Sequence, residues 1–250
     1  MNTLINNKRH GLILLGCFLT LIGPLALTVS HIDLLDPVSD STGFLFTLLT
    51  DSAGSKGFLL TLVVLCTLCL RLNLTKREIL SKLLQLGVIL VLCFASKTGL
   101  KMATESPRPY TQLLVNQLLI PQASHFYNLS SDQQNEVIQT VSTKVSPWRT
   151  HHWLGETDYS FPSGHTIFAS ICVAFFAGLF LQHKRYASAG VILLWALGVA
   201  YSRLWLGMHR PVDLVGSAMF VALVYALVPE FNLLADRVMQ KLPKNWLHGL

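Results

Sequence analysis

Residues 83–100 read LLQLGVILVLCFASKTGL, with a single charge, Lys97, near their end. A helix needs about 20 apolar residues to cross a hydrocarbon core, within a range of about 17–25, so this stretch spans a bilayer unaided. Five more apolar runs, roughly 11–29, 57–70, 166–181, 187–201 and 212–228, repeat the pattern. The first also has full length, whereas those at 57–70, 166–181 and 187–201 must recruit flanking polar residues. Composition agrees: 52% of the chain is hydrophobic and 13% charged, with a mean hydropathy of +0.50. A soluble domain carries about 25% charged residues. The expected fold is all-α: a polytopic membrane protein of six transmembrane helices with a small helical extracytoplasmic insert, one domain over residues 1–250.

Charge placement orients the spans. Residues 1–11, 71–82, 182–187 and the tail after 228 hold eleven of the 19 Lys and Arg, among them Lys8, Arg77, Lys184 and Lys244. They hold only three acids, Glu78, Glu230 and Asp236. The other ten of the 13 acids, including Asp33, Asp36, Asp40 and Asp51, fall on the opposite side. The positive-inside rule then places both termini in the cytoplasm and residues 101–165 and 202–213 outside it. The net charge of +6 follows from this topology. No basic stripe with interleaved aromatics appears, so a nucleic-acid partner is not implied. Lys8-Arg9 before an apolar run resembles a signal peptide, but the run lacks an Ala-x-Ala end and reads as a retained first span. All five cysteines (17, 66, 69, 93 and 172) fall within spans, where packing outweighs a redox or metal role.

The segment of about 110–160 is the one sizeable insert. Ser130-Ser131-Asp132-Gln133 offers a capping box, and Val137, Val141 and Val145 recur every four residues, which predicts a short helix. The insert reads either as a lid or substrate guide, or as a solvated connector. Adjacent His151 and His152 do not share a helix face, so a metal pair there is disfavoured.

Three polar clusters lie at the ends of apolar runs. The third in sequence is Ser202-Arg203, five residues, His209, three residues and Asp213. A helix starting near Pro211 points Asp213 back toward His209. A carboxylate on one imidazole nitrogen fixes the tautomer and frees the other nitrogen to attack. Standing alone, such a pair would read as a satisfied histidine at a helix end. The second cluster, Pro162-Ser163-Gly164-His165, opens the fourth span, where backbone amides point at anions. Ser163 can add a donor and His165 can protonate a departing alkoxide. Standing alone, this is an ordinary helix cap. In the first cluster, Lys101 and, after six intervening residues, Arg108-Pro109 supply a point charge and a planar fork for phosphate oxygens. Interfacial Lys and Arg commonly snorkel to headgroups, and Lys97 is assigned to that fate. Together the clusters hold the groups needed to split a phosphate monoester through a histidine nucleophile. No cluster of carboxylates suited to magnesium accompanies them.

These three clusters match the complete signature of the type 2 phosphatidic acid phosphatase superfamily, and the chain resembles it from the third span to the sixth. The six spans, His125-Phe126-Tyr127 and Trp153…Glu156-Thr157 are most similar to its bacterial phosphatidylglycerophosphatase branch. The resemblance implies a metal-independent reaction, without a cofactor, through a phosphohistidine. His209 would be nucleophile, Asp213 its orienter and His165 the general acid, with Lys101, Arg108, Ser163, Gly164 and Arg203 binding phosphate. Implied substrates are phosphatidylglycerophosphate, phosphatidic acid, diacylglycerol pyrophosphate and undecaprenyl diphosphate, met in the bilayer of a bacterial inner membrane with the site on the periplasmic face. No obligatory protein partner is implied. Two other readings stand beside this one: an undecaprenyl-diphosphate phosphatase of the same superfamily, and a transporter that uses the cationic pocket to bind anions. A haloperoxidase would share the site chemistry, and six spans weigh against it.

Overall fold

The computed structural model describes residues 2–241, with side chains from Lys8 onward except that of Ser30; Lys244 of the basic tail lies outside the described residues. Every regular element described is helical. In chain order the α-helices are α1 (Asn2–Leu27), α2 (Asp40–Ala53), α3 (Phe58–Cys69), α4 (Lys76–Thr104), α5 (Pro109–Asn116), α6 (Ser131–Val141), α7 (Pro147–Trp153), α8 (Gly164–Cys172), α9 (Gly178–Gln182), α10 (Tyr186–Trp205), α11 (Pro211–Leu227) and α12 (Asn232–Lys241). A π-helical turn, Val173–Ala177, joins α8 to α9.

Four spans are long and apolar enough to cross a membrane: α1 from Lys8, α4 with α5, α8 through α9, and α10. The number rises to six if two bent pairs each count as one span, α2 with α3 at 71° and α11 with α12 at 61°. The run at 57–70 therefore becomes a 12-residue helix, α3, that completes a crossing only together with α2. The 83–100 run lies inside the 29-residue α4. That helix begins earlier than the apolar residues because Thr75 and Glu78 form a capping box, each accepting the other's backbone N–H.

The α8–α9 span is the axis of the molecule. Its hydropathic window is 83% buried, against 22% for α1 and 28% for α4, so its neighbours take the lipid-facing positions. Around it pack α1, α4, α10 and α11. Close approach of α1 needs glycine: a Cβ on Gly11 would stand 2.2 Å from the Ala174 carbonyl oxygen, and one on Gly178 would stand 2.7 Å from the Gly11 Cα. At the end of the bundle near the N-terminus, the Lys8 ammonium donates to the carbonyls of Ala226 and Val228, closing the C-terminus of α11, where a cation is electrostatically favoured.

A second apolar cluster caps the opposite end. Tyr110, Phe126, Ile138, Val141 and Trp153 of the insert pack with Trp205 at the end of α10 and with Leu206 and Met208 beyond it. The Tyr110 and Trp153 rings stack at 4.8 Å, and the Trp153 indole donates to the Leu206 carbonyl at 2.8 Å. The insert is thus a packed cap, which removes the solvated-connector reading. Its α6 starts at the expected capping box of Ser130 and Gln133. The buried face is Gln134, Ile138 and Val141, while Val137 is only half-buried. The valine spacing found the helix but set its inward face partly wrong, because Gln134 is buried by donating to the Phe126 carbonyl.

Candidate active site

The C-terminal end of α10 turns directly into the first turn of α11. The Arg203 carbonyl accepts the N–H groups of both Met208 and His209, so the chain folds back within six residues. Pro211 opens α11, as its missing N–H and fixed φ favour. Asp213 lies in the first turn and accepts the Arg210 N–H at 2.8 Å. His209 Nδ1 stands 3.5 Å from Asp213 Oδ2, with both side chains buried. This leaves Nε2 as the nitrogen available to a substrate.

Ser163 caps α8 by accepting the N–H and hydroxyl of Thr166, and its own N–H donates to Ser217 Oγ on α11. Ser217 in turn donates to the Asp213 carbonyl at 2.6 Å, which joins the second cluster to the third. His165 follows in the first turn of α8. The bend between α2 and α3 comes up against it: a Cβ on Gly54 would lie 2.7 Å from His165 Nε2.

The cations converge from three elements. Arg203, wholly buried, donates to Thr50 Oγ1 on α2 at 2.8 Å and to Glu156 Oε2 at 2.6 Å. Arg108 at the mouth of α5 is 3.6 Å from the same Glu156 oxygen and 2.5 Å from Asp158 Oδ1. Lys101 near the end of α4 is 3.1 Å from Asp158 Oδ2 and donates to the Tyr159 carbonyl. His165 Nε2 stands 4.0 Å from the second Glu156 oxygen. One carboxylate, Glu156, therefore touches a cation or histidine from each of the three clusters.

The cations set the ionisation of the groups around them. Burial disfavours the Glu156 anion, but Arg203, His165 and Arg108 outweigh it and hold the carboxyl well below the usual range. Asp158 is likewise held down: burial opposes ionisation, and Arg108 and Lys101 overcome it. His209 is pushed well below the ordinary histidine value, first by burial and then by Arg108, Arg203 and Lys101. It is therefore a neutral imidazole at physiological pH, the form a nucleophile requires. Burial and Arg203 lower His152 to about 4, and its Nε2 lies 3.1 Å from Thr47 Oγ1.

All eight site residues expected from sequence fall in this one region: Lys101, Arg108, Ser163, Gly164, His165, Arg203, His209 and Asp213. Lys97, assigned to snorkelling, has its Nζ 3.5 Å from where a Gly164 Cβ would be. Sequence reasoning missed Thr50, Glu156 as the carboxylate holding the cations, Asp158 and Ser160. The two acids carried a signal, since each lies within ten residues of His165 in an otherwise uncharged stretch. Thr50 carried none. Among the described residues, no group of three or more His, Cys, Asp and Glu is placed to hold a metal ion.

A model of the PAP2 superfamily matches residues 82–233, more than half of the chain and a stretch that includes all three clusters. A phosphatidylglycerophosphatase B of Haemophilus influenzae is 29% identical over 192 residues, covering 74% of this chain and 79% of that protein. A phosphatidylglycerophosphatase B of Escherichia coli is 35% identical over 145 residues, 57% of this chain and 56% of the relative, so the match spans little more than half of that protein. A bacitracin transport permease protein BcrC of Bacillus licheniformis is 42% identical over 65 residues, 26% of this chain and 29% of that one.

Proposed function

Because the chain belongs to the PAP2 superfamily, we propose that it is a membrane lipid phosphatase that removes the terminal phosphate of phosphatidylglycerophosphate and related lipid phosphates through a phosphohistidine at His209. One observation carries this reading: clusters about 50 residues apart in sequence bring two guanidinium groups and a histidine onto the single Glu156 carboxylate. A phosphate presents the same kind of oxygens with more charge, and Arg forks match them in pairs.

In the reaction, the phosphate enters against Lys101, Arg108 and Arg203, and the α8 amides add donors from the Ser163-Gly164 turn. His209 Nε2 attacks phosphorus in line while the P–O bond to the lipid breaks, and His165 gives its proton to the departing oxygen. Water then attacks the phosphohistidine; His165 takes the water's proton, inorganic phosphate leaves and His209 is restored. Fixed cations stabilise the charge spread over the equatorial oxygens in both steps. We assign no step to a metal ion.

The whole chain, 1–250, acts as one membrane domain in this reading, with the site on the periplasmic face of a bacterial inner membrane, both termini cytoplasmic and the 110–160 insert roofing the entrance. An undecaprenyl-diphosphate phosphatase of the same superfamily is the second reading, since a diphosphate offers the same terminal phosphate to Lys101, Arg108 and Arg203. A transporter would need the cations but not the buried His209–Asp213 pair.

The test is phosphate release by purified protein from a panel of phosphatidylglycerophosphate, phosphatidic acid and undecaprenyl diphosphate, with and without EDTA. Turnover should persist in EDTA. His165→Ala should cost most on the two monoesters, whose alkoxide leaving group needs a proton, and least on the diphosphate. Strict magnesium dependence, or equal losses on all three lipids, would contradict these roles.

A further inference from the structure

Ser160 precedes the Phe161-Pro162-Ser163-Gly164-His165 turn and has no exposed surface. Its backbone N–H donates to the Ser106 carbonyl at 2.8 Å, which pins it beside the first cluster. Its Oγ lies 2.5 Å from Asp213 Oδ2, and 3.3 Å from both His209 Nδ1 and the Met208 carbonyl. A hydroxyl has one proton and two lone pairs. The closest and only anionic acceptor is Asp213, so the proton goes there and the lone pairs face the imidazole. Against the usual span of about 2.7–3.2 Å for an N–H···O bond, the direct His209–Asp213 separation of 3.5 Å and the 3.3 Å to Ser160 Oγ are both long. The hydroxyl is the nearer partner.

Asp213 also depends on this contact. Its Oδ1 has no hydrogen-bond partner among the described residues, so Oδ2 alone anchors the carboxylate, through Arg210 N–H and Ser160. We infer that Ser160 is a positioning residue that links His209 to Asp213, its hydroxyl accepting from Nδ1–H and donating to the carboxylate. The inference rests on His209 being the nucleophile. The link keeps the Nδ1 proton in place and leaves the Nε2 lone pair for phosphorus.

The experiment compares wild type, Ser160→Ala, Ser160→Cys and Ser160→Thr, and combines the first with Asp213→Asn, on one lipid monoester in detergent. Ser160→Cys retains volume with a weak hydrogen bond and covers the case in which alanine disturbs folding. Both Ser160→Ala and Ser160→Cys should lower kcat about 10- to 100-fold, the range seen when a partner behind a functional histidine is lost. KM should change by less than about twofold. Ser160→Thr should recover most of the rate. In the Asp213→Asn background, Ser160→Ala should cost less than about twofold more, because two residues in one chain of hydrogen bonds are not additive. A wild-type kcat in Ser160→Ala or Ser160→Cys, a loss confined to KM, or a full additive loss in the double variant would overturn the inference. A wild-type protein that releases no phosphate from any lipid would instead overturn the reading beneath it.

Discussion

His209 sits among three cations, with Glu156 and Asp158 beside them and Asp213 as its own partner, and the balance sets when it can attack. Burial, Arg108, Arg203 and Lys101 all disfavour its imidazolium, and Glu156 only partly opposes them. A nucleophile whose pKa is lowered stays neutral to lower pH. The acid limb of kcat/KM should therefore fall below about pH 6.5, the ordinary histidine value. An acid limb at or above that value in a pH–rate profile would contradict the electrostatic reading. Stability should follow the same groups. His152 and His209 are neutral in the folded protein, with lowered pKa, so below about 6.5 protons favour the unfolded chain. Glu156 has a lowered carboxyl pKa and stabilises above about 4.3, a contribution lost as pH falls further. All these signs agree: the apparent Tm in detergent should drop steadily from pH 7 to pH 4. His152→Asn should flatten that drop most between about 6.5 and 4, the window its own lowered pKa defines.

At the scale of elements, helix ends were the most readable features. The start of α11 at Pro211 and of α6 after Ser130 follow from local chemistry that needs no tertiary context. α2 was not legible. Its residues Asp40–Ala53 alternate Ser, Thr and Gly with apolar positions, and it reaches the length of a span only together with α3, into which it bends by 71°. Thr50, which holds Arg203, was lost with it. Ser160 and Glu156 escaped for a different reason: their partners lie about 50 residues away, on α10, α11 and the turn between them. Periodicity cannot report such pairings. The α1 crossing gives a sharp test of packing. Gly11→Ala would push a methyl onto the Ala174 carbonyl and the Tyr225 hydroxyl at 2.2 and 2.7 Å. Overpacking of this kind costs about 1–3 kcal/mol, so the variant should unfold at lower temperature. An unchanged melting curve would show that α1 does not approach the π turn this closely.

Across the whole molecule, the three clusters share one end of the helical bundle, beneath the insert, while Lys8, Arg77 and Lys82 gather at the other. There Lys82 pairs with Glu230 at 2.5 Å and Arg77 with Asp236. This separation is what lets a phosphate be met at one surface without crossing the hydrocarbon. It also fixes a prediction about sidedness. In a background without the five native cysteines, a cysteine at the exposed position Gln133 should react with an impermeant maleimide in intact spheroplasts. One at the exposed position Asn73 should react only after the membrane is opened. The reverse pattern would place the site in the cytoplasm and exclude the outer leaflet as the source of substrate.

The covalent step through His209 is the centre of the account. Purified protein mixed with a lipid monoester carrying a radioactive terminal phosphate, then quenched in alkali within one turnover, should retain label in a form stable to base and lost in acid. Peptide mapping should find that label on His209, and His209→Ala should show neither label nor phosphate release while remaining folded. Label on another residue, or near-normal turnover by His209→Ala, would contradict it.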